Sequence, residues 1–409
     1  MAKPKLRFLE FTDEWEEKQL KDFMVFKNGL NADKDKFGSG IKFISVMDIL
    51  NNPFITYDII REKVDVDEKT LDNYSVTYGD VLFQRSSETR EDAGKSNVYL
   101  DKENTATFGG FVIRGKKTGN YSPEFMNSLL KSQRVRKEIT SKSQGAQHIN
   151  VGQETLENVS VTLPTIKEQE RIAELLSSID DAIQLQEEET AALEEQKKGV
   201  MQKLFNREVR FKADDGSEYP EWEKKKLIDV CKYVDYRGKT PEKTDGGVFL
   251  VTAKNVRQGY IDYDISQEYV SEYKYDEIMH RGKPKIGDVI ITTEAPCGFV
   301  AQIDREDIAL AQRIIKYRGK EKIVYNAYLK YALLSEEFQK MLLQKSTGGT
   351  VKGIKGSVLH TLKIKLPCLV EQQKIADCLS AYDEVIQIKK DKLEVWKKIK
   401  KGLLQQMFV

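Results

Sequence analysis

Four cysteines, three histidines and a high density of carboxylates are the groups in this 409-residue chain that could do chemistry. Cys231, Cys297, Cys368 and Cys378 show no Cys-x-x-Cys spacing, and the histidines lie far apart in sequence. Neither a zinc site nor a redox dithiol is therefore expected, and the cysteines read as reduced structural thiols. The segment Asn51–Phe54 approaches the Asn-Pro-Pro-Phe motif of amino-methyltransferases. It lacks the second proline, and no Phe-x-Gly-x-Gly loop precedes it. The segment from Tyr236 to Thr240 ends like a Walker A loop, but Tyr233 stands where the first glycine belongs. Charged residues make up 32% of the chain, enough to give chance carboxylate pairs. None stands on the strand pair with a following lysine that a nuclease would use. The reading is a chain with no catalytic residue, no metal ligand and no cofactor of its own.

Composition narrows the class. Hydrophobic residues make up 40% of the chain, which suits two or three globular domains with charged surfaces. No apolar run approaches the ~20 residues of a membrane helix, and the first residues hold no apolar signal segment. A cytoplasmic location is expected. The net charge of +1 hides an uneven distribution: −1 over residues 1–164, −5 over 165–205, +5 over 206–369 and +2 over 370–409.

The elements that must position any site are repeated. Leu163–Phe205 and Leu366–Phe408 align without a gap and share 16 of 43 positions. Each begins with Leu-Pro, where proline closes the preceding segment. The first copy offers Thr165-x-x-Glu168, a capping-box pattern. Ile172, Leu176, Ile179, Ile183, Leu193, Val200 and Leu204 fall on an alternating four–three ladder, with Gln186, Thr190 and Lys197 as polar rungs. Ile375, Leu379, Tyr382, Ile386, Leu393, Trp396, Leu403 and Met407 match it, with Lys389 and Lys400 as polar rungs. This period predicts two coiled-coil helices of ~40 residues, ~60 Å each. Charge sets their direction. Antiparallel pairing brings Lys397, Lys398, Lys400 and Lys401 to Asp180 and Asp181. It also brings Lys389 and Lys390 to Glu188 and Glu189, and Asp383 and Glu384 to Lys197 and Lys198. The preceding segments repeat more loosely. Asp13–Asp22 matches Pro220–Asp229, Tyr78–Ser87 matches Ile286–Ala295, and Lys142–Val151 matches Lys345–Ile354.

The doubled Leu-Pro…Glu-Gln-x-x-Ile-Ala…Leu-Ser…Asp segment, Leu163–Asp180 and Leu366–Asp383, resembles the specificity subunit of type I restriction–modification enzymes. Gly238–Val256 and Asn28–Ile49 resemble the glycine-rich entry to that family's target recognition domains. The resemblance covers almost the whole chain. It implies an α+β fold with two tandem target recognition domains and two long helices in an antiparallel coiled coil, with pseudo-two-fold symmetry. The expected bounds are 1–164 and 206–366 for the recognition domains, and 165–205 and 367–409 for the helices. It further implies a non-catalytic subunit that binds double-stranded DNA at a bipartite target. Its partners would be two methyltransferase subunits, and restriction subunits that join through them. S-adenosylmethionine, ATP and magnesium would belong to those partners. The competing readings are a single-chain restriction–methylation enzyme, which would need several hundred more residues, and a coiled-coil scaffold that binds no DNA.

On that resemblance, three loops in each domain carry DNA-reading chemistry. Lysine and arginine hold phosphates, while amides and hydroxyls reach base edges. The first loop supplies Lys27, Asn28, Lys34 and Lys36, and Tyr236, Arg237 and Lys239 in the other copy. The second follows the Gly-Asp turn and its short core strand, with Gln84, Arg85, Ser86, Ser87 and Arg90 against Thr292, Thr293 and Glu294. The third supplies Ser143, Gln144, Gln147 and His148 against Thr347, Thr350, Lys352 and Lys355. Arg313, after a strand, completes the set.

Overall fold

In the computed structural model, residues 4–145, 148–236 and 240–408 are described. The chain divides into two units, one of Met1–Glu187 with Asp391–Val409 and one of Glu188–Lys390. No helix among the described residues is long and apolar enough to cross a membrane.

The first unit is carried by β1 (Glu16–Gln19), β2 (Met24–Asn28), β3 (Val81–Gln84), β4 (Ser96–Val98), β5 (Val112–Lys117) and β6 (Ser160–Leu163). β2, β5, β3 and β4 form an antiparallel sheet in that order, and β1 pairs separately with β6. A smaller sheet joins Phe37–Ile44 to Lys63–Val64 and, in parallel, to Thr107–Phe108. The helices are α1 (Pro123–Lys131), α2 (Gln133–Lys142) and the 41-residue α3 (Ile166–Asn206).

The second unit repeats this plan. β7 (Glu223–Lys226), β8 (Cys231–Asp235), β9 (Val289–Thr293), β10 (Cys297–Gln302), β11 (Ile314–Gly319) and β12 (Lys363–Leu366) give a sheet of order β8-β11-β9-β10 and a separate β7–β12 pair. α4 (Asn326–Leu334), α5 (Glu336–Lys345) and the 39-residue α6 (Leu369–Met407) complete it.

The Gly-Asp motif explains why the central strands start where they do. Gly79 and Gly287 sit at φ +89° and +87°, a region that favours glycine. The next residue ties the turn down. Asp80 accepts from the amides of Thr77 (3.0 Å) and Lys117 (2.8 Å). Asp288 accepts from the Lys285 amide (3.0 Å), bidentately from Arg318 (2.5 and 2.7 Å), and pairs with Lys316 at 3.2 Å. Burial pushes the Asp80 carboxyl above its ordinary value. Burial also opposes ionisation of Asp288, but the Arg318 hydrogen bonds and the Lys316 charge outweigh it and hold that carboxyl low. The apolar runs that follow become β3 and β9, whose side chains are buried throughout.

The repeated helix start is a latch. Glu168 is 0% exposed, and its oxygens accept from Arg7 Nε and Nη2 at 2.7 and 2.8 Å and from Trp15 Nε1 at 3.3 Å. In the second unit Glu371, also 0% exposed, accepts from Arg210 at 3.1 and 2.9 Å and from Trp222 Nε1 at 2.9 Å. Buried carboxylates require such partners. The neighbouring glutamines clamp backbone. Gln169 accepts from the Ser122 amide and donates to Pro164 O, while Gln372 accepts from the Tyr325 amide and donates to Pro367 O. The capping box expected at Thr165 is thus corrected: a guanidinium and an indole take up the Glu168 carboxylate.

Each unit contains one helix start and the end of the other helix. Ile172, Ala173 and Leu176 share the first core with Met407 and Phe408, and Phe125 packs on Phe408 at 5.4 Å. Ile375, Ala376 and Leu379 share the second core with Leu204 and Phe205, and Tyr328 stacks on Phe205 at 5.8 Å. The helices run antiparallel in both. Lys400 pairs with Asp180 and Lys397 with Glu187 (2.9 Å) in the first unit. Lys389 pairs with Glu189 (2.6 Å), Lys390 with Glu194 (2.7 Å) and Lys197 with Asp383 (2.5 Å) in the second.

Candidate nucleic-acid interface

In the first unit the three expected loops come together on a fourth segment, residues 108–112. The Leu30 amide donates to Phe108 O (3.0 Å) and the Gly29 amide to Val112 O (3.0 Å), joining the first loop to this corner. The Arg85 amide donates to Phe111 O (2.9 Å), joining the second. The Val151 amide donates to Arg85 O (2.9 Å), and Ser86–Ser87 pairs with Ile149–Asn150, joining the third. The third loop is closed by two backbone bonds between Gln144 and Asn150, with Gly145 at φ +121°. Gly110 permits the close approach: a Cβ there would lie 1.9 Å from Asn31 Oδ1.

The side chains divide sharply. Lys34, Lys36, Arg85, Arg90, Gln144 and His148 are exposed, and Lys27, Asn28, Ser86 and Ser87 are half-buried. Lys27 Nζ lies over the Tyr74 ring at 4.4 Å, and Ser86 Oγ bonds Asn150 Oδ1 at 2.5 Å. Gln84 and Ser143 are buried. Gln84 Nε2 donates to Ser86 O (2.9 Å) and Ser143 Oγ to Thr140 O (2.6 Å), so in this conformation both shape the loops and neither presents a group to a ligand. Sequence reasoning missed Phe111, which is 73% exposed at the meeting point of the first two loops. The Gly109-Gly110 doublet before it was the available signal.

The second unit repeats the frame with other side chains. The Thr293 amide donates to Arg313 O (2.8 Å) and the Ile354 amide to Thr293 O (2.9 Å), matching the Arg85 bonds to Phe111 and Val151. Thr347 and Gly353 close the matching loop, with Gly348 at φ +111°. Arg313 therefore occupies the place of Phe111, and Thr293 that of Arg85. Arg313 sits at φ +75°, rare for a side-chain-bearing residue, and its guanidinium lies 3.6 Å from the half-buried Glu294. Thr347, Thr350, Lys352 and Lys355 are exposed. A cavity of about 300 Å³ beside Arg313 is lined by Thr240, Lys243, Thr252, Glu268 and Gln312.

Three sequence candidates here point inward. Thr292 Oγ1 accepts from the Phe299 amide (2.9 Å), Thr293 Oγ1 donates to Arg313 O (3.2 Å), and the buried Tyr236 donates to Gly282 O (2.5 Å). These hydroxyls satisfy backbone groups instead of facing outward. Gln147, Arg237 and Lys239 lie outside the described residues.

The duplicated scaffold holds one backbone frame and varies the side chains on it. The comparisons with known proteins name the class. The model of the type I restriction modification DNA specificity domain matches residues 12–195 and again 219–397. The chain belongs to this family of specificity subunits and carries its domain twice. It is 31% identical over 303 residues to the type I restriction enzyme MjaVIII specificity subunit of Methanocaldococcus jannaschii, covering 69% of this chain and 67% of that one. It is 28% identical over 417 residues to the putative MjaX specificity subunit of the same organism, covering 97% and 93%. The fold is that of the crystallised S subunit from M. genitalium, with a TM-score of 0.59 at 13% identity, covering 100% and 99% of the two chains.

Proposed function

We propose that this chain is the non-catalytic DNA-reading subunit of a type I restriction–modification complex, with each loop face reading one half of a split target. The matched backbone frames carry this reading: the same hydrogen bonds hold Arg85 and Phe111 in one copy and Thr293 and Arg313 in the other. Readers of two unrelated half-sites need that combination of constant scaffold and variable tip. The exposed Lys34, Lys36, Arg90, Lys352 and Lys355 supply phosphate contacts, and Arg85, Gln144, His148 and Arg313 supply base-edge donors and acceptors. The methyl donor, ATP and magnesium belong to methyltransferase and restriction subunits in the cytoplasm. The net charge of −1 on residues 1–164 fits a protein that draws part of its DNA affinity from those partners.

The test is methylation in vitro. Purified chain with S-adenosylmethionine and DNA should transfer no methyl group. Addition of the cognate methyltransferase subunit should produce methylation at one bipartite sequence. Transfer by the chain alone, or methylation with no sequence preference in the complex, would overturn the reading.

A further inference from the structure

The duplication allows each surface of one unit to be compared with its counterpart in the other. At one place they differ by a missing charge. α4 runs into α5 through Ser335, and α1 runs into α2 through the matching Ser132. Ser335 Oγ donates to Ala332 O (2.7 Å) and accepts from the Phe338 amide (3.4 Å). α5 then opens with Glu336 and Glu337, which place negative charge at the positive end of the helix. Gln202 donates to Glu336 (3.1 Å) and Lys340 pairs with it; the Lys340 hydrogen bond and charge, with smaller help from Gln202 and Lys198, hold that carboxyl below its ordinary value. Glu337 pairs with Lys224 and Lys365.

In the first unit this helix end has no acid of its own. Glu336 and Glu337 are replaced by Gln133 and Arg134, and the first turn of α2 is without an acidic residue. Ser132 is 2% exposed, and its buried hydroxyl has no hydrogen-bond partner. Gln405 and Lys401, the counterparts of Gln202 and Lys198, are present and line a cavity of about 600 Å³ with Lys131, Ser132, Gln133, Lys400 and one carboxylate, Asp180. Lys400 is held by Asp180, and Lys397, on the same wall, by Glu187. Lys131 donates only to neutral oxygens, Pro53 O at 2.6 Å and Asn97 Oδ1 at 3.3 Å. Among the described residues neither Lys131 nor Lys401 has a carboxylate partner within ion-pair distance.

We propose that this cavity binds a phosphate dianion, as inorganic phosphate or as the terminal phosphate of a nucleotide. The first amides of α2 have no intrahelical acceptor and form a ready anion cradle, where the second unit supplies its own carboxylate. Lys401 has no carboxylate at ion-pair distance, and Lys131 feels Asp180 only at longer range, since that carboxylate is paired with Lys400. With the positive helix end they leave an excess of positive charge that a dianion neutralises more fully than a monoanion. A terminal phosphate is close to a dianion at neutral pH, while an internal DNA phosphodiester is not.

The experiment uses the full chain in phosphate-free buffer at fixed ionic strength. Inorganic phosphate should bind saturably by calorimetry, broaden its own phosphorus resonance, and be displaced by ATP but not by duplex DNA lacking terminal phosphates. Gln133→Glu restores the second unit's arrangement and should fold at least as well, since an acid suits a helix N-terminus. It should weaken phosphate binding by about tenfold or more. Lys401→Gln should weaken it with unchanged helicity. The proposal is overturned if wild type shows no saturable binding, if Gln133→Glu binds phosphate as wild type does, or if unphosphorylated duplex DNA displaces phosphate.

Discussion

Matched residues in the two units separate what the scaffold keeps from what it varies. Phe111 and Arg313 hang from the same backbone hydrogen bond, yet one is an aromatic wedge and the other a guanidinium. Phe111→Ala, assayed with the cognate methyltransferase by mapping methylated adenines, should relax one position of the first half-site and leave the second intact. Loss of an aromatic contact to a base costs about 1–3 kcal/mol. Loss of both half-sites together would show that Phe111 only holds the fold. Asp80 and Asp288 share a turn but not partners. Asp288→Asn strands Lys316 and Arg318 and should cost about 3 kcal/mol in denaturant unfolding at neutral pH, while Asp80→Asn should cost far less. The pH dependence separates them too. The depressed Asp288 carboxyl stabilises above the unfolded aspartate value, and that stability is lost as pH falls through its folded value. The raised Asp80 carboxyl favours the fold when protonated, and that contribution fades as pH rises through its folded value. Asp80→Asn should flatten this second dependence and leave the first. The sequence made the Gly-Asp turns legible because glycine and aspartate have few other uses there. It hid Phe111, because residue type alone does not tell an exposed phenylalanine from a buried one.

Among the elements, the long helices were the most legible. Their ladder rungs Ile172, Leu176, Ile179, Ile375, Leu379 and Ile386 are buried, as are the polar rungs Gln186 and Thr190. Charge order foretold their direction, although Lys390 meets Glu194 in place of Glu188 or Glu189, and Lys397 meets Glu187 in place of Asp180 or Asp181. What the helix starts do was not legible. Glu168 lies 161 residues from Arg7 and Glu371 161 from Arg210, and a local capping pattern gives no sign of so distant a partner. Glu371→Gln should cost roughly 3 kcal/mol, because it removes the buried bidentate partner of Arg210 and leaves that guanidinium only the exposed Glu221 at 3.5 Å. The surface pair Lys389–Glu189 should show a coupling of only about 0.5 kcal/mol in a double-mutant cycle. A larger coupling there would mean that charge pairing, and not the apolar rungs, holds the helices together.

For the whole molecule, duplication is the organising fact, and it was legible because 16 of 43 positions survive in the helices. Exchanging residues 206–366 for the matching segment of another family member should replace one half of the methylated motif and preserve the other. The joints suit such an exchange, since both fall next to the β7–β12 pair and the Glu371 latch, which repeat β1–β6 and Glu168. A change in both half-sites would mean that the two faces do not read independently. The loop tips were legible only as chemistry, since the frame that sorts outward from inward side chains is made of backbone bonds between distant segments.

The latches also give the chain an optical signal. It has three tryptophans. Trp15 and Trp222 each donate their indole N–H to a latch glutamate, and Trp396 sits half-buried on α6. Replacing Trp396 with phenylalanine would leave a protein whose tryptophan emission comes only from the two latches. Release of either helix would wet its indole and move the emission to longer wavelength. Single Trp15→Phe and Trp222→Phe variants would then assign the change to one end, so undocking during partner assembly or DNA binding could be followed in real time without any attached dye.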